Sequence, residues 1–375
     1  MKYDVAIVGA GIIGLSHAYA AAKRGLKVLV CERTDTPLGA SIRNFGFGVI
    51  LGQKEGEMLN LALQSREIWG DWTSEVGIHI RREGSLLIAR NQLEAAVLES
   101  FMANKANEYD YNCKLLSQKE IDELYQGRFS RYSTVLHGRS DQVVFSREAI
   151  PQLVKYLSSL PNVTMKFSTL VKDINAGARQ LITTQGTFIA EHIIVCSGHD
   201  YQTLLAEELK VLTPTVCRLQ MMRVKPKIEF PLKHAVFTGL SCMHYEAFRD
   251  LPETETLKFA IENDYPEYVQ HGIHLLVTPT PYGEFIVGDS HEYSQYPRPF
   301  SSEAIDDILL NLAKETLGIP LEIVERWVGE YGAGVDESYS KIQVDTHVTA
   351  MLMRTGLGMS IAPALGENTI AEIYD

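Results

Sequence analysis

Apolar positions along the chain switch between two spacings, and the switches mark out its elements. Tyr3–Val8 is an apolar run with β-branched residues and reads as a strand. The 13–24 stretch, rich in Ala and Ile, reads as a helix that Gly25 stops, and Lys27–Cys31 makes a second strand. Helical periodicity recurs over Glu57–Val76, Gln92–Ala106, Ser146–Leu160, Ser302–Leu317 and Met359–Tyr374. Ser117 with Glu120 reads as a capping box opening a short helix. Strand-like runs cover Ser85–Ala89, Val163–Phe167, Leu170–Ile174, Ile193–Cys196, Val216–Val224, Ile273–Val277, Phe285–Val287 and Thr349–Met353. From 211 to 291 the strands do not alternate with helices, which predicts an antiparallel sheet, whereas both ends of the chain are α/β in character.

The first three elements carry chemistry. Gly9-Ala10-Gly11-Ile12-Ile13-Gly14 lies in the turn between strand and helix, and Glu32 ends the second strand, eighteen residues after the last glycine. In such a unit Gly9 permits the tight turn, Gly11 lets the backbone approach a pyrophosphate, and Gly14 lets helix and strand pack closely. Free N–H groups at the helix N-terminus take the phosphates, and Glu32 accepts from a ribose diol. A lone glycine pattern is a weak signal. Here strand, helix, strand and acid stand in the required order, which makes this a dinucleotide site rather than a glycine-containing turn.

Composition narrows the class. The 375 residues allow about two domains and a sizeable core. A hydrophobic content of 45% and a charged content of 22% are ordinary for a soluble globular chain. A net charge of −12 argues against nucleic acid or an anionic membrane as partner. Cys31, Cys113, Cys196, Cys217 and Cys242 are odd in number and scattered without CxxC spacing; they predict reduced thiols in a cytoplasmic compartment and no metal site. The apolar N-terminus is broken by glycines at dinucleotide spacing and lacks a cleavage pattern, so it does not read as a signal peptide. No run reaches the ~18 apolar residues of a membrane span. There is no internal repeat, low-complexity segment or Pro/Gly-rich linker. The chain is therefore expected to cross between a cofactor part (1–80, 147–212, 322–375) and a substrate part (81–146, 213–321).

Two further segments turn dinucleotide into FAD. Thr187–Gly198 (TFIAEHIIVCSG) is a turn and strand ending in Ser-Gly, and Thr355–Glu367 (TGLGMSIAPALGE) is a glycine turn feeding the final helix. With the N-terminal unit these resemble the D-amino-acid-oxidase-like flavoenzymes, which include glycine oxidase and sarcosine oxidase, over essentially the whole chain. Gly39–Gly46 (GASIRNFG), Arg218–Arg223 (RLQMMR), Gly288–Tyr293 (GDSHEY), Arg326–Gly329 (RWVG) and Thr355–Ser360 are similar to a bacterial subgroup associated with aminophosphonate breakdown.

The resemblance implies an α/β fold: a Rossmann-type FAD-binding domain interwoven with an α+β substrate domain on an antiparallel sheet. FAD would lie extended, contacting Gly9, Gly11, Ile12, Ile13 and Gly14 at the phosphates and Glu32 and Arg33 at the adenosine. Val171, taken as the end of a strand, matches a backbone contact to adenine, and Ser197 and Gly198 belong to the same set. The flavin would lie between the 39–48 loop, with Ser41, Arg43, Asn44, Phe45 and Gly46, and the 355–360 loop, with Gly356, Leu357, Gly358, Met359 and Ser360. The start of the last helix would aim N–H groups at the flavin edge that gains negative charge. Relatives of the sarcosine-oxidase type tether FAD through a cysteine in the C-terminal third; this chain has none after Cys242, so FAD should be dissociable.

The implied reaction is oxidation of the C–N bond of a small anionic amine, an aminophosphonate or its N-methyl derivative, with glycine, sarcosine or a D-amino acid as the other possibility. Such chemistry needs a neutral amine, a positioned C–H and a cation for the acidic group, so no Ser-His-Asp or paired-carboxylate signature is expected. Oxygen or another acceptor would take the electrons. Arg43 is the first candidate for the cation, although Arg43 and Asn44 also fit an ordinary surface loop. Asp289 and His291, as catalytic residues, would bind the ammonium and orient the substrate, although a solvated turn explains them equally by composition. Arg218 and Arg223, five apart on a strand, point to opposite faces, so at most one can enter the pocket, and a surface salt bridge fits either. Tyr245, Trp327 and the Met221-Met222 pair read as packing. A tRNA-related flavin module would show a basic face, and an NAD(P)-dependent reductase would need a second fingerprint; neither is present.

Overall fold

The computed structural model describes residues 2–334 and 337–375. Met1, Val335 and Asp336, inside the expected segments 1–80 and 322–375, lie outside the described residues. Two sheets organise the chain, one of eight strands and one of nine, with a small three-stranded sheet beside them.

The eight-stranded sheet is built where the sequence alternates strand and helix. Lys2–Val8 is central, parallel to Val28–Cys31 on one side and to Gly186–Val195 on the other. Val163–Lys166 extends it in parallel beyond Val28–Cys31, and Val348–Met353 runs parallel to Gly186–Val195. Val5, Ala6 and Ile7 are wholly buried, as both-face coverage of a parallel strand requires. The helix Ile12–Lys23 covers one face and packs on the C-terminal helix Gly358–Tyr374, which in turn packs on Glu57–Glu75. Trp69 and Trp72 of the last are wholly buried, and the Trp69 indole N–H donates to the Met359 carbonyl at 2.9 Å. That bond anchors the first turn of the C-terminal helix.

The nine-stranded sheet is mostly antiparallel. Its spine is Thr215–Pro226 paired along its length with Leu321–Ala333, and on its other side with Phe285–Gly288 and Glu292–Ser294. Leu276–Pro279, Ala235–Thr238, Ser85–Ala89, Thr134–Gly138 and Cys113–Leu115 continue it, with one parallel contact between Ala235–Thr238 and Ser85–Ala89. The expected crossing at 322 would put all of the strand Leu321–Ala333 but its first residue on the cofactor side. Its pairing with Thr215–Pro226 puts it in this sheet, and the chain returns to the eight-stranded sheet at Tyr339–Asp345.

Other expectations shift too. The stretch 211–291 is interrupted by the helices Glu246–Arg249, Pro252–Asp264 and Pro266–Gln270. Pro252 and Pro266 open theirs at the first helical position, where a missing N–H costs nothing. The helix over 92–106 is α-helical only to Phe101; Met102–Ala106 forms a wider turn from which Lys105 reaches Asp250 at 2.6 Å. The capping box at Ser117 and Glu120 is present with both arms made. No described helix is long and apolar enough to cross a membrane.

Candidate active site

A cavity of about 710 Å³ runs between the two sheets, and its lining joins the Gly9 turn to the middle of Thr215–Pro226, the residues just after Phe285–Gly288 and the end of Leu321–Ala333. Its outer part is made largely of backbone. Gly9 has φ +100°, and a Cβ there would stand 2.4 Å from the Cys196 carbonyl oxygen. A Cβ on Gly14 would stand 2.0 Å from the Gly9 carbonyl oxygen, so the helix sits on the strand at a distance only glycine allows. Gly11 caps the helix without a side-chain bond, and the first turn carries no acid. The Ile12 N–H is met by Ser41 Oγ at 2.8 Å. The positive end of this helix is thus left for an anion from outside the chain.

Glu32 lines the same part. Its carboxylate accepts from the Ala10 N–H (2.8 Å), the Thr34 N–H (3.1 Å) and the Thr34 hydroxyl (2.9 Å), which hold it at the strand end with a lone pair to spare. Arg33 pairs with Asp200 at 2.9 Å, and both line the cavity with Ser197, Gly198 and Val171. Val171 opens the strand Val171–Asn175 rather than ending one. These residues fit the diphosphate and adenosine of a dinucleotide.

Further in, the 39–48 loop is stapled by Asn44, whose amide donates to the Ala40 carbonyl (2.9 Å) and whose oxygen accepts from the Gly46 N–H (2.7 Å). The Trp327 indole donates to the Arg43 carbonyl at 3.1 Å, and the Thr278 hydroxyl to the Phe45 carbonyl at 2.8 Å. Ile12, Ile13, Ser41, Arg43, Asn44, Phe45, Gly356, Leu357, Gly358 and Met359 line the wall. Gly14, Gly46 and Ser360, expected as contacts, do not. Ser360 is buried with its hydroxyl accepting from the Val49 N–H (3.0 Å), and a Cβ at Gly46 would collide with the Val144 carbonyl. They are packing positions behind the wall.

The inner end is built from side chains. Asp289 and His291, at the end of Phe285–Gly288, line it with His244, Tyr245, Arg249 and Tyr331. Asp289 holds φ +100°, a strained setting for a residue with a Cβ. Burial pushes its carboxyl up to about 6, with His291 acting the other way. His244 and His274 are held well below the usual histidine range, first by burial and then by neighbouring histidines. Ring centroids are 4.1 Å apart for His244 and His274, 4.6 Å for His244 and His291, and 4.9 Å for His274 and His291.

Arg218 is buried against Ser301 (3.0 Å) and Glu292 (3.8 Å), and Arg223 pairs with Glu284 (3.0 Å) and Glu325 (3.1 Å); neither lines the cavity. Tyr245 and the Met221-Met222 pair are buried in the core as expected, and Tyr245 and Met221 also form part of the cavity wall. Arg249 and Tyr331 were not singled out. Arg249 rides on a short helix inside the stretch read as strands, and donates to the His244 carbonyl at 3.1 Å.

The chain matches the model of the family described as FAD dependent oxidoreductase (DAO) over residues 4–372. It is 27% identical over 212 residues to a monomeric sarcosine oxidase of Bacillus sp. (strain B-0618), covering 55% of this chain and 53% of that one. Against the monomeric sarcosine oxidase of Bacillus sp. (strain NS-129) it is 24% identical over 304 residues, or 79% of this chain and 74% of the other. The chain thus spans about half the length of the first of these relatives. In fold it is similar to a glycine oxidase from Geobacillus kaustophilus, with a TM-score of 0.77 at 19% identity, covering 100% of this chain and 95% of that one. It is likewise similar to an L-proline dehydrogenase from P. horikoshii, with a TM-score of 0.78 at 17% identity, covering 100% and 93%. With the glycine cradle, Glu32 and a family match spanning both sheets, this chain belongs to the DAO family of FAD-dependent oxidoreductases.

Proposed function

We propose that the protein oxidises the C–N bond of a small amine bearing an anionic group, with an aminophosphonate or its N-methyl derivative as substrate and oxygen as acceptor. One observation carries the reading: a single cavity joins a dinucleotide cradle to an inner chamber of histidines, tyrosines and one buried aspartate. When bound, FAD would accept the two electrons of the oxidation as the hydride lost from the carbon attached to nitrogen, and water then converts the imine to a carbonyl and an amine.

The chain's own part is positioning and charge. The chamber holds the amine with its C–H toward the cofactor and keeps bulk water away. Asp289 and His291 set the charge that the amine meets, and Tyr245 and Tyr331 shape the wall. Arg43 takes the acidic group, with Arg249 the second cation in place of Arg218 and Arg223. A phosphonate, with nearly two charges and three acceptor oxygens, needs such a set more than a carboxylate does.

The sarcosine and glycine oxidases among the similar proteins favour a second reading, in which the anionic group is a carboxylate. Ranking kcat/KM for 2-aminoethylphosphonate, its N-methyl form, glycine, sarcosine and D-alanine separates the two. A phosphonate should lead, with peroxide released. A carboxylate ahead by tenfold, about 1.4 kcal/mol in transition-state binding, makes the second reading correct. Arg43→Ala should raise KM steeply for anionic amines at full FAD occupancy, and an equal change for neutral amines removes Arg43 from that role.

A further inference from the structure

The geometry points to a divalent transition-metal site of the zinc class at the wall of the inner chamber, made by His244, His274 and His291 with Asp289 beside them. The three histidines come from separate places: after the turn Gly239–Met243, before the strand Leu276–Pro279, and after the strand Phe285–Gly288. One ring nitrogen from each lies within 4.8 Å of the others. An ion bonded at about 2.0–2.1 Å would need the three nitrogens to close in by less than about one ångström and the rings, two pairs of which are stacked at 17–22°, to turn their edges toward it.

Hydrogen bonds decide which nitrogens are free. His291 Nδ1 stands 3.0 Å from the Gly272 carbonyl, which can only accept, so Nδ1 carries the proton. The Ser241 hydroxyl donates to the His274 carbonyl at 2.7 Å, which uses its one hydrogen; its oxygen, 3.1 Å from His274 Nδ1, must therefore accept. With Nδ1 of each ring engaged in this way, Nε2 is the nitrogen left to meet an ion. A ring N–H held by a carbonyl or hydroxyl, with the other nitrogen free, is how metal-binding histidines are oriented.

Both of these nitrogens face one carboxylate. His274 Nε2 is 3.4 Å from Asp289 Oδ2, and His291 Nε2 is 3.6 Å from Asp289 Oδ1. His274 Nε2 is buried without a hydrogen-bond partner among the described residues. Lone pairs opposite carboxylate oxygens in a buried site repel unless a cation lies between them. A proton bridging one such pair brings nitrogen and oxygen to about 2.7–2.9 Å. The observed separations are longer, two rings share the carboxylate and a third converges, which suits an ion better than a proton.

The surroundings are shaped for this arrangement. Asp289 accepts a positive φ to point its carboxylate there. A Cβ on Gly272 would come 2.8 Å from His291 Cβ, so only glycine leaves room for His291. His244, His291 and Asp289 line the cavity, and the ion would add there the positive charge that Arg218 and Arg223 do not bring. That consequence rests on the anionic-amine reading; ion binding itself does not.

The test uses FAD-bound protein cleared by a chelator, titrated with zinc alone, and read by metal content and calorimetry without substrate. Roughly one zinc per chain should bind, and His274→Ala and His291→Ala should bind none while keeping FAD. Ser241→Ala, which removes the acceptor from His274 Nδ1, should weaken zinc by about 10- to 100-fold. Should the histidine variants fail to fold, X-ray absorption of the zinc-loaded wild type should give imidazole nitrogens at about 2.0–2.1 Å. No stoichiometric uptake, uptake unchanged in His274→Ala or Ser241→Ala, or a shell without imidazole each overturns the site. Failure of every amine to turn over would sink the amine reading and leave the zinc result standing.

Discussion

The two ends of the cavity are built on different principles. The cofactor end is backbone: a glycine turn, a helix N-terminus without an acid in its first turn, and one carboxylate held by three donors. The inner end is side chain: His244, His291, an aspartate and tyrosines brought together from residues 244 to 331 by two sheet strands and a short helix, with His274 packed behind them. Backbone sites tolerate no added atom but need few particular side chains. Side-chain sites reverse that. Substitutions at the two ends should therefore fail in different ways, one in cofactor occupancy and the other in turnover.

The largest expected effect is at the backbone end. Gly9→Ala combines a φ of +100° with a Cβ 2.4 Å from a carbonyl oxygen, a burden of about 2–6 kcal/mol. FAD should be absent from the purified variant while circular dichroism still shows a folded chain. A variant that keeps its full yellow colour breaks the contrast.

Next comes acid sensitivity in the helix behind the cradle. His17 is wholly buried, and burial lowers its pKa from 6.5 to about 4, so the folded chain keeps it neutral while the unfolded chain protonates it first. This stability is complete above pH 6.5 and is lost as pH falls from 6.5 to 4, by about 3 kcal/mol. His234, in the region of the nine-stranded sheet, is lowered to about 4 as well, so only part of the acid loss belongs to His17. Melting temperature against pH should fall less steeply in His17→Gln, and an unchanged slope refutes the assignment.

At the inner end, Asp289→Asn should keep FAD and lower kcat/KM on the order of 100-fold, because the amine loses the charge that positions it. Loss of colour in this variant would mean that the two ends are not separable. The smallest expected effect is Glu32→Ala, about 1–3 kcal/mol in FAD affinity through lost bonds to the ribose. It should leave kcat untouched once FAD is saturating, and unchanged affinity would take Glu32 out of the site.

The same contrast decides what the sequence reveals. The cradle lies within about thirty consecutive residues and depends on glycines whose absence of a side chain is the signal, so Gly9, Gly14 and Glu32 can be read directly. The inner chamber depends on pairing between distant strands, which no local spacing encodes. His244 and His274 converge only because Ala235–Thr238 pairs with Leu276–Pro279. Arg249 is hidden by a helix inside a stretch that reads as strands, and spacing alone does not say which of Arg218 and Arg223 stays out of the pocket; Glu292 and Ser301 beside Arg218 show that it does. Ser360 carries the motif but turns its hydroxyl to Val49, because a helix start that packs tightly has its polar atoms spent on the protein.

The most direct test of a cavity joining cofactor to amine is to mix FAD-bound protein with each amine of the panel without oxygen and follow the flavin's visible absorbance. N-methyl-2-aminoethylphosphonate or its primary amine should bleach the flavin in a single saturating phase, and admitting oxygen should restore the colour with release of peroxide. A flavin that stays oxidised with every phosphonate and every carboxylate amine would contradict the assignment of the inner chamber as an amine site.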